Sequence, residues 1–380
     1  MTCSAVKQMN NLLSLLGDYT FQVVAVGSCA LGIISGISGS FATLRQQSLL
    51  GDSISHSALA GVAIAFILTG SKTTEVLLIG AGIVGLIATY LITQLSRFSK
   101  ANFESVMAVV MSSFFGLGLM LLTYIQHLPN ANQAGLNRFL FGQAATMLST
   151  DVLLILIVAV LIILTVCLFF KEFKLFVFDR DFASDLGLPT GLLNFILSTM
   201  VVLTVILGIQ SVGVVLMSAL LISPAIAARQ WTHHLSSLIG LAAILGGISG
   251  LGGTLISSSI TNFPTGPAIV LIISLILIVS LLIAPGRGII WQRQQLHRAK
   301  LNVAADMILL HLLEVHKSTF SAADFAAIHA SQAPLYSMDQ LVKNLQERHS
   351  IEKQESLFIV QESAIQELSG HLKKEEPDNA

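Results

Sequence analysis

Residues 36–69 read GISGSFATLRQQSLLGDSISHSALAGVAIAFILT. A run of small and apolar residues stops at Arg45, a short polar turn follows, and a second small-residue run continues to Thr69. A bilayer core of ~30 Å needs about 20 apolar residues in a helix, so the stretch reads as the end of one membrane span and the start of another. Asp52 and His56 stand at the head of the second span. Their i, i+4 spacing places both on one helical face. An ionisable group inside a bilayer costs about 2.5–3.5 kcal/mol on insertion scales, so such groups mark function.

Outward from this stretch, the composition agrees. The 380 residues are 54% hydrophobic and only 11% charged, with a mean hydropathy of +0.80, against roughly 25% charged for an ordinary soluble chain. Residues 296–380 hold 8 Lys+Arg and 12 Asp+Glu, leaving 12 and 9 for the first 295. Most of the chain is therefore neither a soluble enzyme nor disordered. The acidic tail argues against nucleic-acid binding. Cys3, Cys29 and Cys167 lie far apart and build neither a disulfide framework nor a zinc site. The weakly apolar piece Leu12 to Gly17 runs into Asp18 without a cleavage pattern, so export is expected to use the first true span.

Nine spans are predicted: 20–43, 55–70, 74–95, 103–125, 152–170, 191–209, 211–228, 236–258 and 264–284. The second and seventh are short and begin in Gly/Ser-rich sequence, so a broken or re-entrant helix is an open reading there, giving eight spans if the seventh does not cross. With the N-terminus outside, the inner loops carry Arg45, Arg97, Lys100, Lys171, Lys174, Arg180, Arg229 and the cluster Arg287 to Lys300. The outer regions carry only Lys7, Lys72 and Arg138, so the bias places the C-terminus in the cytoplasm. Leu136 to Gly142 in the outer loop reads as a short interfacial helix. In the inner loop 171–190 a short helix from about Phe182 to Leu186, closed by Gly187, is expected as a docking surface. The fold class is all-α polytopic membrane protein, with a transmembrane domain over 1–290. A small α or winged-helix-like domain is expected over 296–373, with helices at 301–313, 321–328, 337–348 and 361–373. A two-stranded wing is expected within 351–360 and disorder over 374–380.

Carboxylate plus imidazole is a ligand set suited to Mn²⁺, Fe²⁺ or Zn²⁺. The alternatives for Asp52 and His56 are a helix-capping carboxylate with a hydrogen-bonded imidazole, or a proton relay. Glu104 reads first as a solvated helix-start residue favoured by the dipole, and second as an accessory carboxylate on an exit path. The runs Gly32 to Gly36 and Gly246 to Gly250 suit close helix packing. No G-x-x-x-x-G-K-[ST], H-E-x-x-H or G-x-S-x-G occurs, so the chain carries no P-loop and no zinc-protease or hydrolase motif.

Residues 36–69 closely resemble the signature of the zinc/manganese/iron permeases of ABC importers: a small-residue span, Arg, S-L-x-G-D-x-x-S-H, then a small-rich helix. FDRDFASDLGLP (178–189) is similar to that family's cytoplasmic coupling segment, VGVVLMSALLISPAIAAR (212–229) to its block before the last two spans, and LNRFLFG (136–142) to its loop segment. The resemblance covers about residues 20–285. Gln46-Gln47 and Gln143 depart from the usual pattern without touching Asp52 or His56.

The resemblance implies a multi-pass subunit of the bacterial cytoplasmic membrane that carries no permanent cofactor and moves a divalent ion. Two copies would line one pathway. Two ATPase subunits would drive it through Asp179, Phe182, Leu186 and Gly187, and an extracytoplasmic metal-binding protein would deliver the ion. Asp52 and His56 would be its ligands. Longer members carry a winged-helix-like tail, which residues 299–372 resemble in degenerate form. The competing readings are a proton-coupled secondary transporter, which would need no ATPase, and a siderophore or cobalamin permease, which needs no ligand pair.

Overall fold

The computed structural model describes residues 18–71, 73–127, 147–260, 263–314, 319–321, 338–347, 351–354 and 357–360. The chain divides into two compact units, Met1–Arg287 and Gly288–Ala380.

The first unit is a helical bundle. Its long helices are α1 Tyr19–Leu44, α2 Leu50–Thr69, α3 Thr74–Phe98, α4 Phe103–Gln126, α5 Ser149–Leu168, α8 Thr190–Val212, α9 Val214–Trp231, α10 Leu235–Ser259 and α11 Thr265–Ile283. These nine are long and apolar enough to cross a membrane among the described residues. Two short helices, α6 Phe170–Phe178 and α7 Arg180–Asp185, sit between α5 and α8.

Small residues set the closest approaches. A methyl added at Gly32 would land on the Gly246 carbonyl, and one at Gly36 on the Ala242 carbonyl, so α1 and α10 pack backbone to backbone. Apolar side chains gain nothing by leaving lipid for a neighbouring helix, so close van der Waals packing of this kind does the work instead. α2 is the most enclosed helix, with 78% of its apolar window buried, and it packs against α3, α4, α8 and α9.

The short spans are resolved by their neighbours. α2 starts at Leu50, five residues earlier than the hydropathy suggested, because the polar turn lies inside its first two turns. α9 is continuous through Pro224 and runs parallel to α11 over almost its whole length. Near the α9 start, Gly266 of α11 lies against Val212, and at its end Trp231 Nε1 donates to Ser280 Oγ at 3.0 Å. α9 therefore reaches as deep as α11 and does not turn back.

The expected loop 171–190 is two helices. α6 follows α5 directly and buries Phe173 and Phe176. Asp179 caps α7 by accepting from the Phe182 N–H at 2.9 Å, so the helix begins two residues before the expected start. Leu186 ends it, and Gly187 takes φ +78°, a left-handed turn that glycine adopts without a Cβ clash.

In the second unit α12 runs from Ile289 to Glu314, twelve residues before the expected start at 301. The stretch after Gly288 is rich in Gln, Arg and Leu, good helix formers with no breaker among them. A shorter helix, α13, covers Met338–Glu347. Ala304, Ala305 and Ile308 of α12, Leu341 and Leu345 of α13, and Ile351 are its buried residues. The wing is present: β2 Ile351–Gln354 and β3 Leu357–Val360 pair antiparallel, with Ile351 opposite Val360. A third strand, β1 Thr319–Ser321, pairs on the other edge of β3. Ser321, where a helix was expected to start, ends that strand. The helices expected at 136–142 and 361–373, the rest of 321–328, and the 374–380 tail lie outside the described residues.

Candidate functional site

Asp52 and His56 occupy the first two turns of α2. Leu49 stands at the cap position, so Asp52 is not the cap. Gly51 faces Leu221 of α9, which fixes the helix start against its neighbour. Asp52 Oδ1 and His56 Nε2 are 3.5 Å apart. A charge-assisted hydrogen bond would be about 2.7–2.9 Å. A shared tetrahedral ion, with bonds of ~2.1 Å to N and O, holds its donors roughly 3.4 Å apart. The pair thus has the spacing of two ligands on one cation. The side chains are 34% and 23% exposed, so the pair faces an accessible surface at the edge of an otherwise closed helix.

The His56 ring is held edge-on by Phe115 of α4, centroid to centroid 4.8 Å at 80°. Its Nδ1 is buried and has no hydrogen-bond partner among the described residues. Leaving such an atom unpaired costs about 1–3 kcal/mol, a cost borne at functional positions more readily than elsewhere. Among the described residues no third His, Cys, Asp or Glu gathers with the pair. Glu104 lies in the first turn of α4, exposed. It is eleven residues before Phe115, about 16 Å along the helix, so the structure does not bring it to the pair.

The four residues expected to form a docking surface lie together on α7 and at its two ends. Asp179 caps α7, Phe182 sits mid-helix and is 50% exposed, and Leu186 is 60% exposed beside Gly187. The charged helix thus displays two large apolar side chains.

One element escaped the sequence reading. Arg45, at the end of α1, places its guanidinium 5.5 Å from the Phe176 ring centroid, and Arg180 stands 5.9 Å from the same ring. Arg45 also donates to Asn194 Oδ1 of α8. Burial, with the nearby Arg180 charge, pulls the Arg45 guanidinium down to about 10. The only sequence signal was an arginine ending an apolar run. Its ring partner lies far along the chain, where no periodicity links the two.

The profile of the ABC 3 transport family matches residues 18–284. The chain belongs to that family. It is 47% identical over 293 residues to the zinc transport system membrane protein TroC of Treponema pallidum, covering 77% of this chain and 98% of that one. It is 43% identical over 296 residues to the manganese transport system membrane protein MntC of Bacillus subtilis, covering 78% and 68%. Among solved structures it is similar to PsaBC from Streptococcus pneumoniae in complex with Fab. There the TM-score is 0.65 and the identity 31%, over 73% of this chain and 97% of that chain. The family match ends at residue 284, and the second compact unit begins at Gly288.

Proposed function

We propose that the chain is the membrane-spanning subunit of an ATP-driven importer for Mn²⁺ or Zn²⁺ in the bacterial cytoplasmic membrane. Two copies form the pathway. Two ATPase subunits dock on α7 through Asp179, Phe182, Leu186 and Gly187, and an extracytoplasmic metal-binding protein supplies the ion. The chain hydrolyses nothing itself. Its N-terminus lies outside and its second unit in the cytoplasm, as the Lys/Arg bias supports. Of the three metals the residues suit, zinc and manganese are the ones named for its relatives.

The observation that carries this reading is the Asp52–His56 spacing of 3.5 Å on a partly open face of the central helix. Among the described residues one chain gathers two donors, which is too few for a four- to six-coordinate ion. Two copies facing each other across a two-fold axis would supply two carboxylates and two imidazoles. The same pair argues against a siderophore or cobalamin pathway, which needs width and no ligands.

The test is uptake of radioactive Mn²⁺ and Zn²⁺ into proteoliposomes holding the chain, its ATPase and its binding protein, each ion competed against the other. Uptake is expected to need ATP on the ATPase side and to survive collapse of the proton gradient. Uptake by the chain alone, abolished by that collapse, would establish the proton-coupled reading instead.

A further inference from the structure

We propose that Arg45 is a positioning residue that couples the docking helix α7 to the Asp52/His56 pair. Its guanidinium stack on Phe176 would carry displacement of α7 to the start of α2. This rests on the importer reading above and names the joint through which the ATPase would act.

The path is short and continuous. Phe176 is buried at the end of α6, with one guanidinium from α1 and one from α7 near its ring. Both lie within the ~6 Å reach of a cation–π contact. On the other side of Arg45 the chain has no slack. The N–H groups of Arg45, Gln46 and Gln47 donate to the carbonyls of Phe41, Thr43 and Ala42 at 3.1, 3.2 and 2.9 Å. Leu50 N–H donates to Gln47 O at 3.0 Å. Gln46 takes φ +57°, an uncommon conformation for a residue other than glycine, so the turn is held by its surroundings. Asp52 follows two residues after Leu50. A displacement of Arg45 therefore reaches the carboxylate through a hydrogen-bonded turn.

The stack has the chemistry of a joint. No salt bridge to Arg45 occurs among the described residues; its guanidinium meets a ring face and a neutral amide. A buried ion pair would have to be broken each time α7 moved, leaving an uncompensated charge. A guanidinium can slide over a ring face at smaller cost.

A purely anchoring arginine would be needed for assembly and nothing else, and this separates the two roles. The experiment compares wild type, Arg45→Lys, Phe176→Leu and the double variant as complete complexes with ATPase and binding protein in proteoliposomes. Lysine keeps the charge but loses the planar stack, and leucine keeps apolar bulk but offers no ring. ATP hydrolysis and uptake of radioactive Mn²⁺ or Zn²⁺, whichever the wild type moves, are measured per assembled complex.

Each single variant is expected to hydrolyse ATP near the wild-type rate while metal moved per ATP falls about tenfold, within the usual range of coupling between sites. The double variant is expected to be no worse than either single, because both remove the same contact. An unchanged ratio in both singles, a parallel fall of hydrolysis and uptake, or an additive loss in the double would overturn the proposal. Should Arg45→Lys lower the yield of complex, Phe176→Leu carries the same measurement. Wild-type uptake that ignores ATP would instead refute the importer reading itself.

Discussion

Asp52 was legible because helical spacing is local: a carboxylate and an imidazole four residues apart share a face whatever the rest of the chain does. What spacing could not give is the 3.5 Å separation, the edge-on Phe115 ring or the unpaired Nδ1, all of which depend on how α4 lies on α2. Asp52→Asn removes the anionic donor without loss of packing, and His56→Ala removes the imidazole together with its contact to Phe115. Each is expected to lower metal uptake at least ~100-fold, more than the 10–100-fold typical of losing a residue that only orients a ligand. Membrane abundance and ATPase association should stay near wild type. Uptake assays with immunoblots check this, and wild-type uptake in both variants would remove the pair from the pathway. Glu104→Gln, about 16 Å along α4 from the ring that touches His56, should leave uptake within about twofold in the same assay.

At the scale of elements, hydropathy marked the spans because bilayer thickness imposes their length. It erred where polar residues lie inside a helix. α2 begins before Asp52, and α12 extends through the charged 292–300 stretch, since neither polarity nor charge breaks a helix without Gly or Pro. The glycine runs at 32–36 and 246–250 were read as packing surfaces, and their carbonyl contacts follow from having no side chain at all. Gly32→Val should force α1 and α10 apart, costing on the order of 1–3 kcal/mol or more, as overpacking does. Gly240→Val, whose added Cβ meets nothing within 4 Å, should be far milder. Melting of the detergent-solubilised protein compares the two, and equal losses would mean that the close approach does not govern stability. For α7, a cysteine at Phe182 should cross-link to the ATPase subunit. Labelling of that cysteine only by an impermeant reagent applied from outside would invert the assigned orientation.

At the scale of the whole molecule, the composition break near residue 296 announced a second unit, and the structure divides the chain at Gly288, where Gly286 with φ +83° and the Arg287 contacts close the bundle. Arg287 donates from Nη1 to the Arg229 carbonyl and stands 2.8 Å from His233 Nδ1, so it belongs to the first unit. The three-stranded sheet was only half legible. The hairpin 351–360 has a continuous apolar run, Leu357 to Val360, beside the polar strand 351–354, whereas β1 is three residues long, too short for any pattern. The Treponema pallidum relative is matched over 98% of its length by 77% of this chain, and the family match ends at residue 284, before the second unit. A chain ending after Gly288 keeps every Arg287 contact. It should insert, bind its ATPase and retain transport, with an altered rate or metal response. Binding of duplex DNA needs clustered Lys and Arg to displace counterions. Residues 288–380 hold 12 Asp+Glu against 9 Lys+Arg; Arg293, Arg298 and Lys300 of α12 follow the last span closely in sequence, and α13 offers only Lys343, 3.9 Å from Glu347. A winged-helix likeness is a matter of fold and does not carry DNA binding with it. The full-length protein in detergent should therefore show no salt-sensitive retention of duplex DNA. Sub-micromolar binding that weakens steeply with salt and disappears on truncation at Gly288 would instead make the second unit a DNA-binding regulator fused to a transporter.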